Sequence, residues 1–133
     1  WKAMTPFGTP VLIARGKDGT ARAFLNACGH RGAPLVDCGT GRGSRFVCPY
    51  HGWTYNNEGK LVGVAASHEF GEFDRDEYAL PALPTYEKAG LIWAVLDPRS
   101  GIDIEAFLAG YDDMLANFTF DQWHLFDSRT LRG

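Results

Sequence analysis

Cys28-Gly29-His30-Arg31-Gly32-Ala33-Pro34 and Phe46-Val47-Cys48-Pro49-Tyr50-His51-Gly52-Trp53-Thr54-Tyr55 are the stretches on which the reading of this chain turns. A Cys and a His stand one residue apart, seventeen residues follow, and then a Cys and a His stand two residues apart. Unrelated chains seldom reach that spacing by accident. Each stretch is rich in Gly and Pro, which suits a tight, non-repetitive backbone able to turn its amides toward a bound group.

Two thiols and two imidazoles in mirrored loops form the donor set of a two-iron, two-sulfide centre in which a pair of histidines replaces a pair of cysteines on one iron. Each loop would give its Cys to one iron and its His to the other. Cys28 and Cys48 then hold the first iron, His30 and His51 hold the second, and the cluster clamps the loops together. Two ferric ions, two sulfides and two thiolates sum to zero charge, whereas a four-Cys cluster is doubly negative before reduction, so this centre accepts an electron more readily. The competing reading is a structural zinc site, which also favours sets of four Cys and His. Zinc sites usually separate paired ligands by two to four residues, and the single residue between Cys28 and His30 fits that poorly.

Of 133 residues, 45% are hydrophobic and 22% charged, which is the composition of one ordinary globular domain with a real core. A net charge of −3 without a run of Lys or Arg argues against a nucleic-acid partner. No apolar stretch approaches the ~20 residues of a membrane span, and Trp1-Lys2-Ala3-Met4 lacks the organisation of a signal peptide, so the cytosol is the expected compartment. Three cysteines, two of them claimed by the metal, leave no disulfide framework. Cys38 is left over and is expected to be small and partly buried between the ligand loops.

Val11 to Arg15 and Ala21 to Asn26 read as strands joined at Lys17-Asp18-Gly19, a strong hairpin signal. Gly39 to Ser44 reads as a flexible hairpin connection, and Arg45 to Cys48 as a short strand rising into the second ligand loop. Trp53 to Tyr55 and Lys60 to Gly63 form a further hairpin about Asn57-Glu58-Gly59. Two hairpins thus carry the two loops. Ser67 to Glu77 turns acidic around Phe70 and Phe73 and reads as a solvated loop. His68 and His124 lie at no ligand spacing and are expected at the surface. After Pro81 and Pro84, Thr85 to Lys88 is a strand that turns at Ala89-Gly90 into Leu91 to Leu96, the best candidate for a fully buried strand. Ile104, Phe107, Leu108, Tyr111, Met114 and Leu115 then recur at helical intervals behind Asp103, predicting an amphipathic helix of about three turns. Gln122 to Arg132 returns to a strand-like pattern without a closing signal, and the start at Trp1 is equally abrupt, so a longer natural polypeptide is expected.

The two quoted stretches, with Gly90-Leu91-Ile92-Trp93 and the acidic helix, resemble the N-terminal Rieske [2Fe-2S] domain of ring-hydroxylating oxygenase large subunits. The resemblance covers most of the chain. It implies a mostly β fold of small antiparallel sheets, with the cluster at the tips of two hairpin loops and one C-terminal amphipathic helix. It also implies a [2Fe-2S] cofactor that takes electrons from a reductase or ferredoxin and passes them to a mononuclear iron in a following catalytic domain, in the same or a neighbouring subunit, where an aromatic or related substrate is hydroxylated. Respiratory Rieske proteins carry an extra Cys in each loop, at places filled here by Ala33 and Tyr50. They also carry a Ser after the His-Gly pair, where this chain has Trp53. Fewer donors to the sulfurs imply a lower potential. Arg31 and Trp53 are the residues expected just outside the ligands.

The second site of that family, two His and a carboxylate on non-haem iron, finds no source here, since Asp112 and Asp113 have only His124 downstream. The expectation is therefore a single electron-transfer domain over residues 1–133, the N-terminal part of an oxygenase, with no catalytic residue of its own. A free-standing Rieske ferredoxin and a zinc-binding interaction module are the alternatives. The ferredoxin has little use for the helix at Asp103 to Leu115.

Overall fold

The computed structural model describes residues 1–127 and 129. Its centre is an antiparallel hairpin, β2 (Val11–Arg15) and β3 (Ala21–Leu25), in the register Val11 to Leu25 through Arg15 to Ala21. The turn forms where the Asp-Gly signal places it. Gly19 N–H donates to Gly16 O at 3.1 Å, while the Asp18 carboxylate accepts from Thr20 N at 3.1 Å and pairs with Arg22 at 2.6 Å. β1 (Lys2–Met4) adds to β2, and β8 (Ala82–Leu83) to β3. Residues alternate between the two faces of this sheet, as strand geometry requires. Leu12, Ala14 and Phe24 enter the main core, while Val11, Ala23 and Leu83 form a second cluster behind it. Both faces are covered, which is why Val11 to Ala14 is apolar without a break.

β4 (Gly39–Thr40), in the stretch expected to be a flexible connection, pairs with β1 and completes the order β4-β1-β2-β3-β8. A two-residue strand with two glycines nearby leaves no periodicity to read. A second sheet holds β5 (Arg45–Val47), β6 (Thr54–Asn56) and β7 (Leu61–Gly63) in that order. Its Phe46, Tyr55 and Leu61 meet Leu12 and Phe24 of the first sheet in one core, which also contains Cys28, Cys48 and Trp53.

The third sheet is the pair β9 (Thr85–Lys88) and β10 (Leu91–Ala94). Ala89 and Gly90, at φ 55° and 74°, make the two-residue left-handed turn that suits a twisted hairpin. The expectation of a fully buried strand does not hold for β10. With one neighbour it is half-buried, and Ile92 is 37% exposed.

The helix lies where the period places it but is split into α1 (Ile104–Leu108) and α2 (Tyr111–Ala116). Asp103 caps α1 by accepting from Ala106 N at 3.0 Å, and the chain turns left-handed at Ala109 and Gly110, φ 50° and 86°. A Gly just past a short helix is a stop signal, and here it outweighs the periodicity. Of the residues that set the period, Ile104 is buried, while Phe107, Tyr111 and Met114 face solvent. Beyond a short 3-10 turn at Phe120–Gln122, residues 123–127 and 129 form no strand, contrary to expectation. The remainder of the strand-like segment lies outside the described residues.

Asp112 anchors α2 to β9. Its buried carboxylate accepts from Lys88 Nζ and from the Tyr86 hydroxyl, each at 2.9 Å. The hydrogen bond from Lys88 holds this carboxyl below the usual carboxylate range, burial opposes, and Tyr86 adds to the lowering. A depressed folded pKa contributes stability that is present above the unfolded value of about 3.9 and is lost as pH falls through the folded one. Asp112→Asn is therefore expected to lower the unfolding midpoint at neutral pH and to shrink its loss below about pH 4, as read by thermal melts at stepped pH. An unchanged acid limb would count against this anchor.

Candidate metal centre

The two ligand loops are closed by the same pair of backbone hydrogen bonds. In the first, Cys28 N–H donates to Ala33 O and Gly32 N–H returns to Cys28 O, both at 2.8 Å. In the second, Cys48 N–H donates to Trp53 O at 2.7 Å and Gly52 N–H to Cys48 O at 3.0 Å. Gly32 and Gly52 both take left-handed φ, 70° and 69°, as the return bond requires. The loops differ in what carries them. Cys48 to His51 sits at the tip of the β5–β6 hairpin. The first loop joins β3 to β4, which do not pair, so the expectation of a second hairpin is corrected. Asn26 takes the place of strand pairing: buried at 6% exposure, its side chain donates to Val36 O at 2.7 Å and accepts from Leu35 N at 3.0 Å.

These loops set the four residues singled out by spacing in two pairs. Cys28 and Cys48 are each 3% exposed and share one buried cluster, and the rings of His30 and His51 lie 4.7 Å apart. His30 Nδ1 is buried without a hydrogen-bond partner among the described residues. An orphaned buried nitrogen costs about 1–3 kcal/mol unless something occupies it, and a metal at Nδ1 is a partner of the right kind. Burial first, then His51 and Arg31, lowers the His30 pKa. This favours the neutral imidazole that metal binding needs. Among the described residues no three His, Cys, Asp or Glu side chains gather round a single point as a one-ion site would require. A thiol pair and an imidazole pair are the donor types of a two-iron cluster with two histidines on one iron.

Arg31 is exposed, while Trp53 is 2% exposed and stacks on His30 at 4.8 Å and 11°. Cys38 is exposed and not partly buried, because it leads into an edge strand, and the Thr5 hydroxyl lies 3.4 Å from its sulfur. His68 and His124 are at the surface.

Tyr55 is the residue that spacing did not reveal. Its hydroxyl accepts from Gly29 N–H at 2.9 Å and lies 3.3 Å from Cys28 Sγ, so its own proton is free to point at the sulfur. Burial, then the contact with Cys28, pushes the phenol well above its ordinary pKa. The available signal was strand alternation, which puts Trp53 and Tyr55 on one face behind the second loop. Gly29 meets a different constraint: a Cβ there would lie 2.5 Å from Tyr78 O.

Residues 2–87 match the family described as the Rieske [2Fe-2S] domain. The chain is 39% identical over 114 residues to the glycine betaine monooxygenase oxygenase subunit of Chromohalobacter salexigens, covering 84% of this chain and 25% of that protein. It is 48% identical over 93 residues to the large oxygenase component of the 2,4-dinitrotoluene dioxygenase system of Burkholderia sp., covering 68% and 21%. Among solved structures it is similar to the quaternary ammonium Rieske monooxygenase CntA in complex with gamma-butyrobetaine, with a TM-score of 0.78 and 28% identity over 90% of this chain and 35% of that one. The chain thus spans a quarter or less of the length of these two curated relatives.

Two substitutions test this geometry. Asn26→Ala leaves two loop backbone groups without partners and is expected to destabilise by about 2–4 kcal/mol, read from denaturant midpoints at unchanged slope. Tyr55→Phe removes a donor from the Cys28 sulfur, and because such a donor favours the more negative, reduced state, the potential is expected to fall. A potential that stays or rises would show that the phenol proton points elsewhere.

Proposed function

The chain belongs to the Rieske [2Fe-2S] domain family, and on that premise we propose that residues 1–133 are a single electron-transfer domain, the N-terminal part of a non-haem iron oxygenase large subunit. In this reading Cys28 and Cys48 hold one iron, and His30 and His51 the other. The bound cluster supplies one-electron transfer. The residues around it hold it dry, set its potential and present its imidazole side to partners.

The observation that supports the reading is the pair of identically closed loops, one buried thiol on each, with the imidazoles of His30 and His51 paired beside them. The electron donor is a reductase or ferredoxin, and the acceptor is a mononuclear iron in a catalytic domain outside this chain, of the same or a neighbouring subunit. That iron site hydroxylates an aromatic or related substrate. The names of the relatives divide between quaternary ammonium compounds, such as glycine betaine, and aromatic ones, such as anthranilate, so one electron-transfer domain serves both and does not choose between them. Likeness to oxygenase chains extends over 90% of this chain, past the family match that ends at residue 87, and this favours an oxygenase part over a free-standing ferredoxin. No helix among the described residues is long and apolar enough to cross a membrane. We place the protein in the cytosol, consistent with its unpaired cysteines.

The purified chain is expected to be red-brown, with iron and acid-labile sulfide equal at two each, the stoichiometry of a [2Fe-2S] centre. Cys28→Ser and Cys48→Ser abolish the cluster, and Cys38→Ser leaves it intact. Colourless protein carrying one zinc ends this reading, and cluster loss in the Cys38 variant reassigns the thiol.

A further inference from the structure

The acidic segment from Ser67 to Glu77 reads as a solvated loop, and its carboxylates do face water: Glu69, Glu72, Asp74, Asp76 and Glu77 are all exposed. Phe73, and Tyr78 just after the segment, are instead half-buried, while Phe70 stays partly in water. Trp53 stacks with His30 at 4.8 Å and 11° and with Phe73 at 5.8 Å and 15°. Three nearly parallel rings therefore run from the imidazole into this segment. Phe70 closes the corner edge-on, 5.8 Å from His30 and 5.8 Å from Trp53, and Tyr78 meets the Trp53 ring at 5.2 Å and 73°. The backbone fits as closely, since Gly29, between Cys28 and His30, has no room for a Cβ beside the Tyr78 carbonyl.

The two imidazoles consequently have different surroundings. His30 is walled by Trp53 and Phe70, with Nδ1 buried, whereas His51 has Tyr50 at 3.8 Å, a ring that is itself 59% exposed. A fully solvated loop would have no reason to set Phe70, Phe73 and Tyr78 against Trp53 while keeping every carboxylate outward. Edge-to-face and offset contacts of this kind fix ring orientation beyond what area burial supplies.

We propose that residues 67–78 are a cover for the centre, with Phe70, Phe73 and Tyr78 as positioning residues that clamp Trp53 against His30, fix the plane of that imidazole and keep water from its side of the site. This rests on His30 as a ligand. Keeping water away disfavours the added negative charge of the reduced state, so the cover holds the potential below that of an opened site. Phe70 is its most accessible element, at 41% exposure, and can be changed without cutting into the core.

The test uses the whole chain with its cluster in place. Phe70→Ala is expected to raise the reduction potential and, after exchange into heavy water, to deepen the deuterium modulation in the spin echo of the reduced cluster. Phe70→Trp, which restores an aromatic edge, should return both readings toward the parent values. Should Phe70→Ala lose cluster, Phe70→Leu carries the same comparison with a smaller shift in the same direction. A fully loaded Phe70→Ala chain with unchanged potential and modulation overturns the cover while leaving the ligand assignment standing. A parent chain without a [2Fe-2S] signal would remove that assignment, and the cover with it.

Discussion

The structure depends on a backbone constraint used twice. In each ligand loop a Cys amide donates to a carbonyl five residues on, and a left-handed Gly amide four residues on returns to the Cys carbonyl. This pair of bonds makes a closed turn whose first residue is the thiol. It satisfies backbone groups that would otherwise be buried without partners, and it aims each sulfur inward regardless of what carries the loop. One loop sits on a hairpin and the other bridges unpaired strands, yet the cysteines reach equal burial. Asn26 is what equalises them, doing with one side chain what a strand ladder does in the second loop.

Around that frame the protein spends its aromatic residues unevenly. Tyr55 serves the thiol side, accepting from the first loop's backbone while standing within hydrogen-bond reach of Cys28. Trp53, two residues earlier, serves the imidazole side. The last residue of the second loop and an inward residue of β6 thus address the two halves of the site, which ties the surroundings of the site to sheet register.

The chain after β8 is built differently. Polar links tie β9 to the central hairpin and α2 in turn to β9. Arg15 pairs with Glu87 through two hydrogen bonds, at 2.8 and 2.5 Å, and Asp112 sits between Lys88 and Tyr86. Phe107, Tyr111, Met114 and Trp123 meanwhile stay in water.

The sequence by itself determined the candidate donors, the loop positions and most of the strands, because these rest on local chemistry: ligand spacing, Gly and Pro in tight loops, Asp-Gly and Ala-Gly at hairpin turns, and the β-favouring run of Val11 to Arg15. The helix is legible in part for the same reason, since its apolar period is local while the stop at Ala109-Gly110 divides it into two short helices. Tertiary structure alone decided what surrounds the ligands. Tyr55 reaches Cys28 across 27 positions and Phe70 reaches His30 across 40, and such contacts exist only once separate sheets pack together. The burial of Asp112 and the packing of Phe73 and Tyr78 against Trp53 belong to the same class. Composition marks a carboxylate or a polar loop as solvent-facing, and only the packing partner, Lys88 with Tyr86 in one case and the flat face of Trp53 in the other, can reverse that.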